Sequence, residues 1–306
     1  MNPGTQTPAR ARAWQADLAL LTATLIWGMS FVAVKQALRS ASPLALNAAR
    51  MGLAALLLAL IYRHWLRRLT PAIWRAGLAL GGWMTAGFVL QTEGLRHTTP
   101  ARSAFLTGFS VILVPFLGAL QLRKSPRPRV WLSALLALAG LYFLAFARAG
   151  WSGWPRLGDG LTLLGAVAFA GMIQALENYC TRLPFQPLAV LQVAVTAILF
   201  AILAPWAEPM VWKSSPQLWA LIAFLAVLAT ALAFTLQTWA QQYTPANHVA
   251  VLLALEPVFA WLGGWYWLHS ELAGQQLLGA GLILIAILAS GWPTPAPDHP
   301  SPHIPA

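Results

Sequence analysis

Arg50, Glu93, Glu177 and Glu256 each stand inside a predominantly apolar stretch of the chain. An ionised group at the centre of a helix in lipid costs at least about 2.5–3.5 kcal/mol, so each needs a partner or a function. Arg50 presents a planar fork that suits a carboxylate, either that of Glu93 or that of a ligand, and it can also reach helix-end carbonyls. Glu256 directly precedes Pro257, which removes a backbone donor and frees a carbonyl one turn earlier. Its carboxylate therefore suits either a binding role or the stabilisation of a kink. Glu93 lies one turn before Thr98-Thr99-Pro100, where a solvated helix end is the simpler reading. Lys35 and Glu177 each follow an aspartate, Asp17 or Asp159, by 18 residues. Snorkelling at an interface explains both.

The composition says what surrounds these groups. Of 306 residues 58% are hydrophobic and only 9% charged, with a mean hydropathy of +0.64, whereas soluble domains carry about 25% charged residues. A soluble enzyme, a disordered chain and a nucleic-acid module are excluded. The runs at 53–61 and 277–289 lack the alternation of a lipid-facing barrel strand, so the predicted fold is an all-α integral membrane protein. The net charge of +11 resides in basic residues between apolar runs, which sets topology rather than a nucleic-acid surface. The single cysteine, Cys180, leaves no intramolecular disulfide and no thiolate metal site.

Ten transmembrane helices are expected, at 17–37, 44–62, 74–94, 100–122, 130–148, 159–181, 187–205, 218–241, 245–268 and 274–291. Residues 1–13 and 292–306 are expected to be unordered and cytoplasmic, the latter as a Pro-rich tail. The first apolar run is too long for a cleaved signal peptide and reads as a retained signal anchor. With a cytoplasmic N-terminus, one side gathers 11 Lys and Arg, among them Arg63, Arg67, Arg68, Arg123 and Lys124, against 6 on the other. Both termini are thus expected inside.

The chain also repeats itself. Phe88-Val89-Leu90-Gln91-Thr92 returns as Phe234-Thr235-Leu236-Gln237-Thr238, a shift of 146. Thr99-Pro100-Ala101 returns as Thr244-Pro245-Ala246, Pro43-Leu44-Ala45 as Pro187-Leu188-Ala189, and Asp17 as Asp159, at shifts of 145, 144 and 142. Residues 14–149 and 150–291 thereby form two five-helix repeats. Five is odd, so the second copy enters the bilayer from the opposite face. Inverted repeats are a recurring architecture of secondary transporters, with the ligand near the midplane between the halves.

In this order across both halves, Leu25-Ile26-Trp27-Gly28-Met29-Ser30-Phe31, Asn47-Ala48-Ala49-Arg50-Met51-Gly52, Leu90-Gln91-Thr92-Glu93-Gly94-Leu95, Ser103-Ala104-Phe105-Leu106-Thr107-Gly108 and Leu255-Glu256-Pro257-Val258-Phe259 resemble the drug/metabolite transporter superfamily, specifically its ten-helix EamA-type exporters. His269-Ser270-Glu271 departs from the Leu-Gly-Glu usual after span 9, and Glu93 from a commonly apolar position. The resemblance implies an inner-membrane carrier that moves small organic metabolites outward, often amino acids. It also implies a cavity lined by spans 1, 3, 4, 6, 8 and 9.

Within such a cavity Trp27, Ser30, Gln91, Phe105, Gln237 and Trp239 would supply aromatic walls and a few hydrogen-bonding groups, beside Arg50, Glu93 and Glu256. Core packing is the competing account of Trp27 and Trp239, while Trp65, Trp74, Trp131, Trp151, Trp154, Trp206 and Trp212 read as interfacial belts. Pro115 and Pro257 interrupt corresponding helices and point to the binding site. Gly77 and Gly81, Gly140, and Gly279 with Gly281 permit close helix approach, with a monomer or homodimer both open. The six histidines form no metal motif, no P-loop occurs, and no cofactor is expected. Glu256 or Glu93 is a candidate carrier of a coupling proton, facilitated diffusion being the alternative. An amphiphile efflux carrier and an intramembrane enzyme acting on lipid-linked substrates are the competing functions.

Overall fold

The computed structural model describes residues 7–122, 126–146, 157–268 and 274–290. The helices are α1 (Thr7–Ala37), α2 (Pro43–Ile61), α3 (Pro71–Arg96), α4 (Pro100–Thr107), α5 (Ser110–Leu122), α6 (Pro128–Phe146), α7 (Leu157–Cys180), α8 (Phe185–Ala207), α9 (Pro216–Ala226), α10 (Ala233–Ala240), α11 (Ala246–Leu253), α12 (Glu256–Leu268) and α13 (Gly274–Ser290). A π-helical turn, Val227–Leu232, joins α9 to α10. Among the described residues the only strand pairing is an isolated bridge between Ala41 and Trp212. The pairs α4–α5, α11–α12 and α9–α10 each make one span, which gives the ten expected helices. Seven are long and apolar enough to cross a membrane outright, and three are shorter. Helix α1 starts at Thr7, inside the stretch expected to be unordered. Residues 292–306, His269-Ser270-Glu271, Trp151 and Trp154 lie outside the described residues.

Local chemistry explains the starts. Thr70, Thr99 and Ser215 each cap a helix by accepting a bond from an N–H three residues on, and each is followed by a proline at the first helical position. Thr70-Pro71 and Ser215-Pro216 open equivalent spans of the two repeats. The outer surface is apolar, with Leu56, Leu60, Leu120, Leu132, Ile198 and Leu288 all exposed. The buried interior instead holds Asn47, Gln174, Gln192, Gln237 and many threonines. A bundle with leucine outside and amides inside has lipid as its solvent.

The two repeats are inverted. Helix α1 starts near the α10–α11 junction, where Thr244 Oγ1 donates to Asp17 Oδ1 at 3.4 Å. It ends at the α3–α4 junction, where Lys35 Nζ donates to Leu95 O. Helix α7 does the reverse: Thr98 Oγ1 donates to Asp159 Oδ1 near its start, and Glu177 near its end accepts from Ala246 N. Equivalent helices thus run in opposite directions. Hydrogen bonds repeat too, Asn47 Nδ2 to Thr92 Oγ1 at 3.0 Å in one half and Gln192 Nε2 to Thr238 Oγ1 at 2.8 Å in the other. The halves are interleaved, since α1 packs on α10 and α12 whereas α7 packs on α3 and α5.

Glycines set the closest approaches. A Cβ on Gly140 would lie 2.6 Å from Gly279 O, and one on Gly279 equally close to Gly140 O, which locks α6 against α13. Gly77 and Gly81 face Leu191 and Val195 of α8 in the same manner.

One expectation is corrected. The fourth span breaks at Gly108 and Phe109, not at Pro115, which sits inside α5. Pro115 lacks an N–H and crowds the preceding turn, where Val111 and Ile112 bond three residues back instead of four. The distortion is absorbed upstream, at glycine. The ninth span breaks at Ala254 and Leu255, just before Pro257. The two breaks are therefore at equivalent positions, 146 residues apart.

Candidate functional site

Both broken spans border one cavity of about 70 Å³, counted as the space open to the centre of a water-sized sphere. At ~10–15 Å³ per water, it holds about five to seven water-sized groups. Helix α1 contributes Trp27 and Ser30, α2 Arg50, α3 Gln91, α10 Gln237, and the start of α12 Glu256. These are six of the nine residues singled out from sequence. The other three lie elsewhere. Glu93 is on the surface, paired with Arg96 at 3.1 Å and beside His97 at 3.2 Å, and not with Arg50. Phe105 is buried edge-on against Phe109, and Trp239 packs on Tyr243.

The walls carry an aromatic chain that single-residue reasoning missed. Trp27 meets Phe234 at 4.9 Å between ring centroids, Phe234 meets Phe88 at 5.9 Å, and Phe88 meets Phe169 at 5.3 Å. Trp27 corresponds to Phe169 at the shift of 142, and Phe88 to Phe234 at 146. The chain is therefore symmetric about the axis relating the repeats. The signal lay in the duplicated motif, where Phe88 and Phe234 stand three residues before Gln91 and Gln237. Gln91 Nε2 donates to Thr107 Oγ1 at 2.9 Å, while Gln237 Oε1 is buried with no partner.

Charge breaks that symmetry. Arg50 is 2% exposed, its guanidinium carbon sits 4.5 Å from the Phe88 ring centroid, and its Nε has no hydrogen-bond partner. Its counterpart, by the register of Asn47 and Gln192, is Val195. Glu256 is 8% exposed and lies in the first turn of α12, where the helix dipole favours an anion. Its carboxylate makes no hydrogen bond or ion pair among the described residues, and its counterpart is Ser110. A guanidinium and a carboxyl group thus border one small cavity with no ion pair to another described side chain.

The π-helical turn places Trp27. Thr230 Oγ1 bonds five residues back to Leu225 O, and Ala229 O accepts the Trp27 Nε1–H at 2.8 Å. The extra residue of this turn also accounts for a slip in the repeat. Pro71 and Pro216 are 145 apart, whereas Phe88 and Phe234 beyond the turn are 146 apart. Gly28, beside Trp27, lets α1 touch α12, since a Cβ there would lie 2.6 Å from Glu256 O.

Two residues read from sequence as interfacial each tie helices of one repeat together. Lys35 Nζ donates to Leu95 O, Arg96 O and Thr98 O at 2.7, 3.1 and 2.8 Å, joining α1 to the C-terminus of α3. In the other repeat Glu177 Oε1 accepts from Ala246 N at 3.1 Å, joining α7 to the N-terminus of α11. Equivalent positions of opposite charge thereby serve opposite helix poles. No cluster of three or more His, Cys, Asp or Glu placed to hold a metal occurs among the described residues.

An inverted pair of five-helix units enclosing a partly polar cavity at their interface defines a membrane carrier. The model of the EamA-like transporter family matches residues 14–146 and 156–292, and the chain belongs to this family. An uncharacterized transporter of Archaeoglobus fulgidus is 34% identical over 89% of this chain and 84% of its own length. The threonine/homoserine exporter RhtA of Salmonella typhimurium is 27% identical over 80% of each chain. A solved crystal structure superposes with a TM-score of 0.75 at 20% identity, covering 90% of this chain and 96% of the other. The protein is a multi-pass membrane transporter.

Proposed function

We propose that the chain exports a small amino acid or a closely related zwitterion across the inner membrane by alternating access, with both termini cytoplasmic. The observation that carries this reading is the pair Arg50 and Glu256, buried on one cavity and free of protein counter-ions. A guanidinium takes a carboxylate bidentately, and a carboxylate takes an ammonium group. A molecule bearing both groups satisfies two buried charges at once. The cavity volume suits a ligand of a few heavy atoms, and the relative named as a threonine/homoserine exporter supports the same class. Ser30, Gln91 and Gln237 would orient the polar side chain. Phe105, Trp239 and Glu93 are assigned packing and surface roles instead.

The aromatic chain from Trp27 to Phe169 favours a second reading, efflux of amphiphilic cations or aromatics. Purified chain in lipid vesicles separates the two when offered L-threonine, L-homoserine and a panel of amphiphilic drugs. Saturable movement of the amino acids, lost on methyl esterification of the carboxylate, is expected. Movement of drugs with none of either amino acid would replace the first reading with the second.

A further inference from the structure

The junctions between the third and fourth spans of the two repeats are each held by an aspartate of the opposite repeat. At the first, Arg102 Nη2 lies 3.0 Å from Asp159 Oδ2 and Thr98 Oγ1 donates to Asp159 Oδ1 at 3.2 Å. At the second, Thr244 Oγ1 donates to Asp17 Oδ1 at 3.4 Å, and His248 Nε2 stands 3.5 Å from the same oxygen. Arginine keeps its charge at every accessible pH; histidine does not.

The hydrogen bonds of Ser290 orient the histidine ring. Ser290 Oγ lies 2.7 Å from Ile287 O and 2.6 Å from His248 Nδ1. The carbonyl has no proton to give, and a serine hydroxyl that donates to it accepts from Nδ1–H. A neutral ring then carries a bare Nε2, whose lone pair faces a carboxylate oxygen. His248 is 2% exposed and Asp17 0%, and Asp17 Oδ2 has no donor. Two buried acceptors facing each other are costly, and one proton shared between Nε2 and Oδ1 removes the conflict.

We propose that Asp17 and His248 form a proton-binding site that controls opening of the cavity at this end. Around it, α1 brings Asp17 and, toward its N-terminus, Arg12, which stacks over Tyr243 at 5.8 Å. Helix α7 brings Glu177. Helices α5 and α13 carry no charged side chain, and α6 carries Arg129 and Tyr142, both exposed. Ala246, two residues before His248, is the residue whose N–H Glu177 holds. Gln241 Nε2 and Gln242 Nε2 likewise donate to Ile173 O and Cys180 O of α7. The site thus sits within two residues of the contact that ties α7 to the start of α11. When the proton passes to water, Nε2 and the carboxylate repel, the start of α11 leaves α1, and the hold of Glu177 is released. At the opposite junction Arg102 stands beside the aspartate, as His248 does here. This proposal rests on the carrier architecture and not on the amino-acid substrate.

Cys180, the sole cysteine, is buried at this end and reports its opening without any substitution. Full-length chain in lipid nanodiscs, without substrate, is labelled with a water-soluble maleimide between pH 5.5 and 9. The wild-type rate divided by that of His248→Arg at the same pH cancels the ionisation of the thiol. This ratio is expected to rise with pH, by up to about tenfold per unit through the titration of one proton. In ¹⁵N spectra of the wild-type ring, Nδ1 is expected to stay protonated while Nε2 loses its proton, an outcome independent of how His248→Arg folds. A ratio flat in pH, or a ring with a bare Nδ1, overturns the proposal. So does loss of the pH dependence in Glu256→Gln, which would place the proton in the cavity. A failure to move L-threonine overturns the substrate assignment alone.

Discussion

Arg50→Met should make the protein more stable and less active, a combination expected of a binding charge and not of a packing one. In the empty protein the guanidinium is 2% exposed and has no carboxylate, only the Phe88 ring at 4.5 Å. A charge at helix centre costs at least about 2.5–3.5 kcal/mol in lipid. A desolvated cation–π contact returns roughly 2 kcal/mol. The balance, about 0.5–1.5 kcal/mol, is recovered when methionine fills the same length with apolar atoms. At about 2 °C per kcal/mol for a chain of this size, the melting temperature should rise by about 1–3 °C. A substrate carboxylate meanwhile loses a charge-assisted bond of about 1.5–3 kcal/mol, which raises KM for L-threonine by roughly 10–150-fold. Thermal unfolding followed by tryptophan fluorescence and uptake into vesicles read the two effects separately. A lower melting temperature with unchanged KM would show that Arg50 is a packing element and refute the reasoning.

Cysteines at the exposed positions His64 and Lys213, in the equivalent α2–α3 and α8–α9 connections, should label from opposite sides of the membrane when Cys180 is replaced by alanine. Labelling from the same side refutes the inversion. Gly279→Val should destabilise by at least about 1–3 kcal/mol, because its side chain meets Gly140 O where even a Cβ lies at 2.6 Å; retained thermal stability would show that α6 and α13 can separate freely. Asn47→Ala and Gln192→Ala should each cost about 1 kcal/mol and by similar amounts, since each removes the same bond from its own repeat. Unequal losses, read from unfolding of the two variants, would show that the repeats carry unequal shares of stability.

What sequence could reveal followed from periodicity and polarity, and what it could not followed from helix register. Apolar runs bounded by proline located all ten spans, and the duplicated motif revealed the inversion before any contact was known. Buried polarity likewise drew attention to Arg50, Glu256, Gln91 and Gln237, which converge on the cavity. Glu93 did not, because one residue of rotation at the end of α3 decides between cavity and surface, and Arg96 and His97 draw it outward. Trp239 and Phe105 failed for the same reason, each being aromatic in a cavity-bordering helix but turned to a neighbour. Lys35 and Glu177 looked interfacial because spacing places them at span ends. Their actual partners are helix termini of other spans, which only the interleaving of α1 and α7 brings near. The π-helical turn was visible as a slip from 145 to 146, yet nothing in the slip said that Ala229 O would hold Trp27.

The site combines a symmetric frame with asymmetric charge, and this division has a mechanistic consequence. Trp27 with Phe234, and Phe169 with Phe88, are related by the same axis that exchanges the two ends of the cavity, so the walls present equivalent surfaces to either side. Arg50 belongs to the first repeat and Glu256 to the second, opposite the uncharged Val195 and Ser110. A zwitterion held by both would therefore bridge the repeats, with one orientation and not two. Its binding favours states in which both repeats stay close around it, and departure requires one end to separate first. One end is tied by Lys35 and three carbonyls, and the other by Glu177 and an N–H near which Asp17 and His248 lie. If the Asp17–His248 pair gates the second end as proposed, the order in which the ends open is set by that pair and not by the symmetric frame.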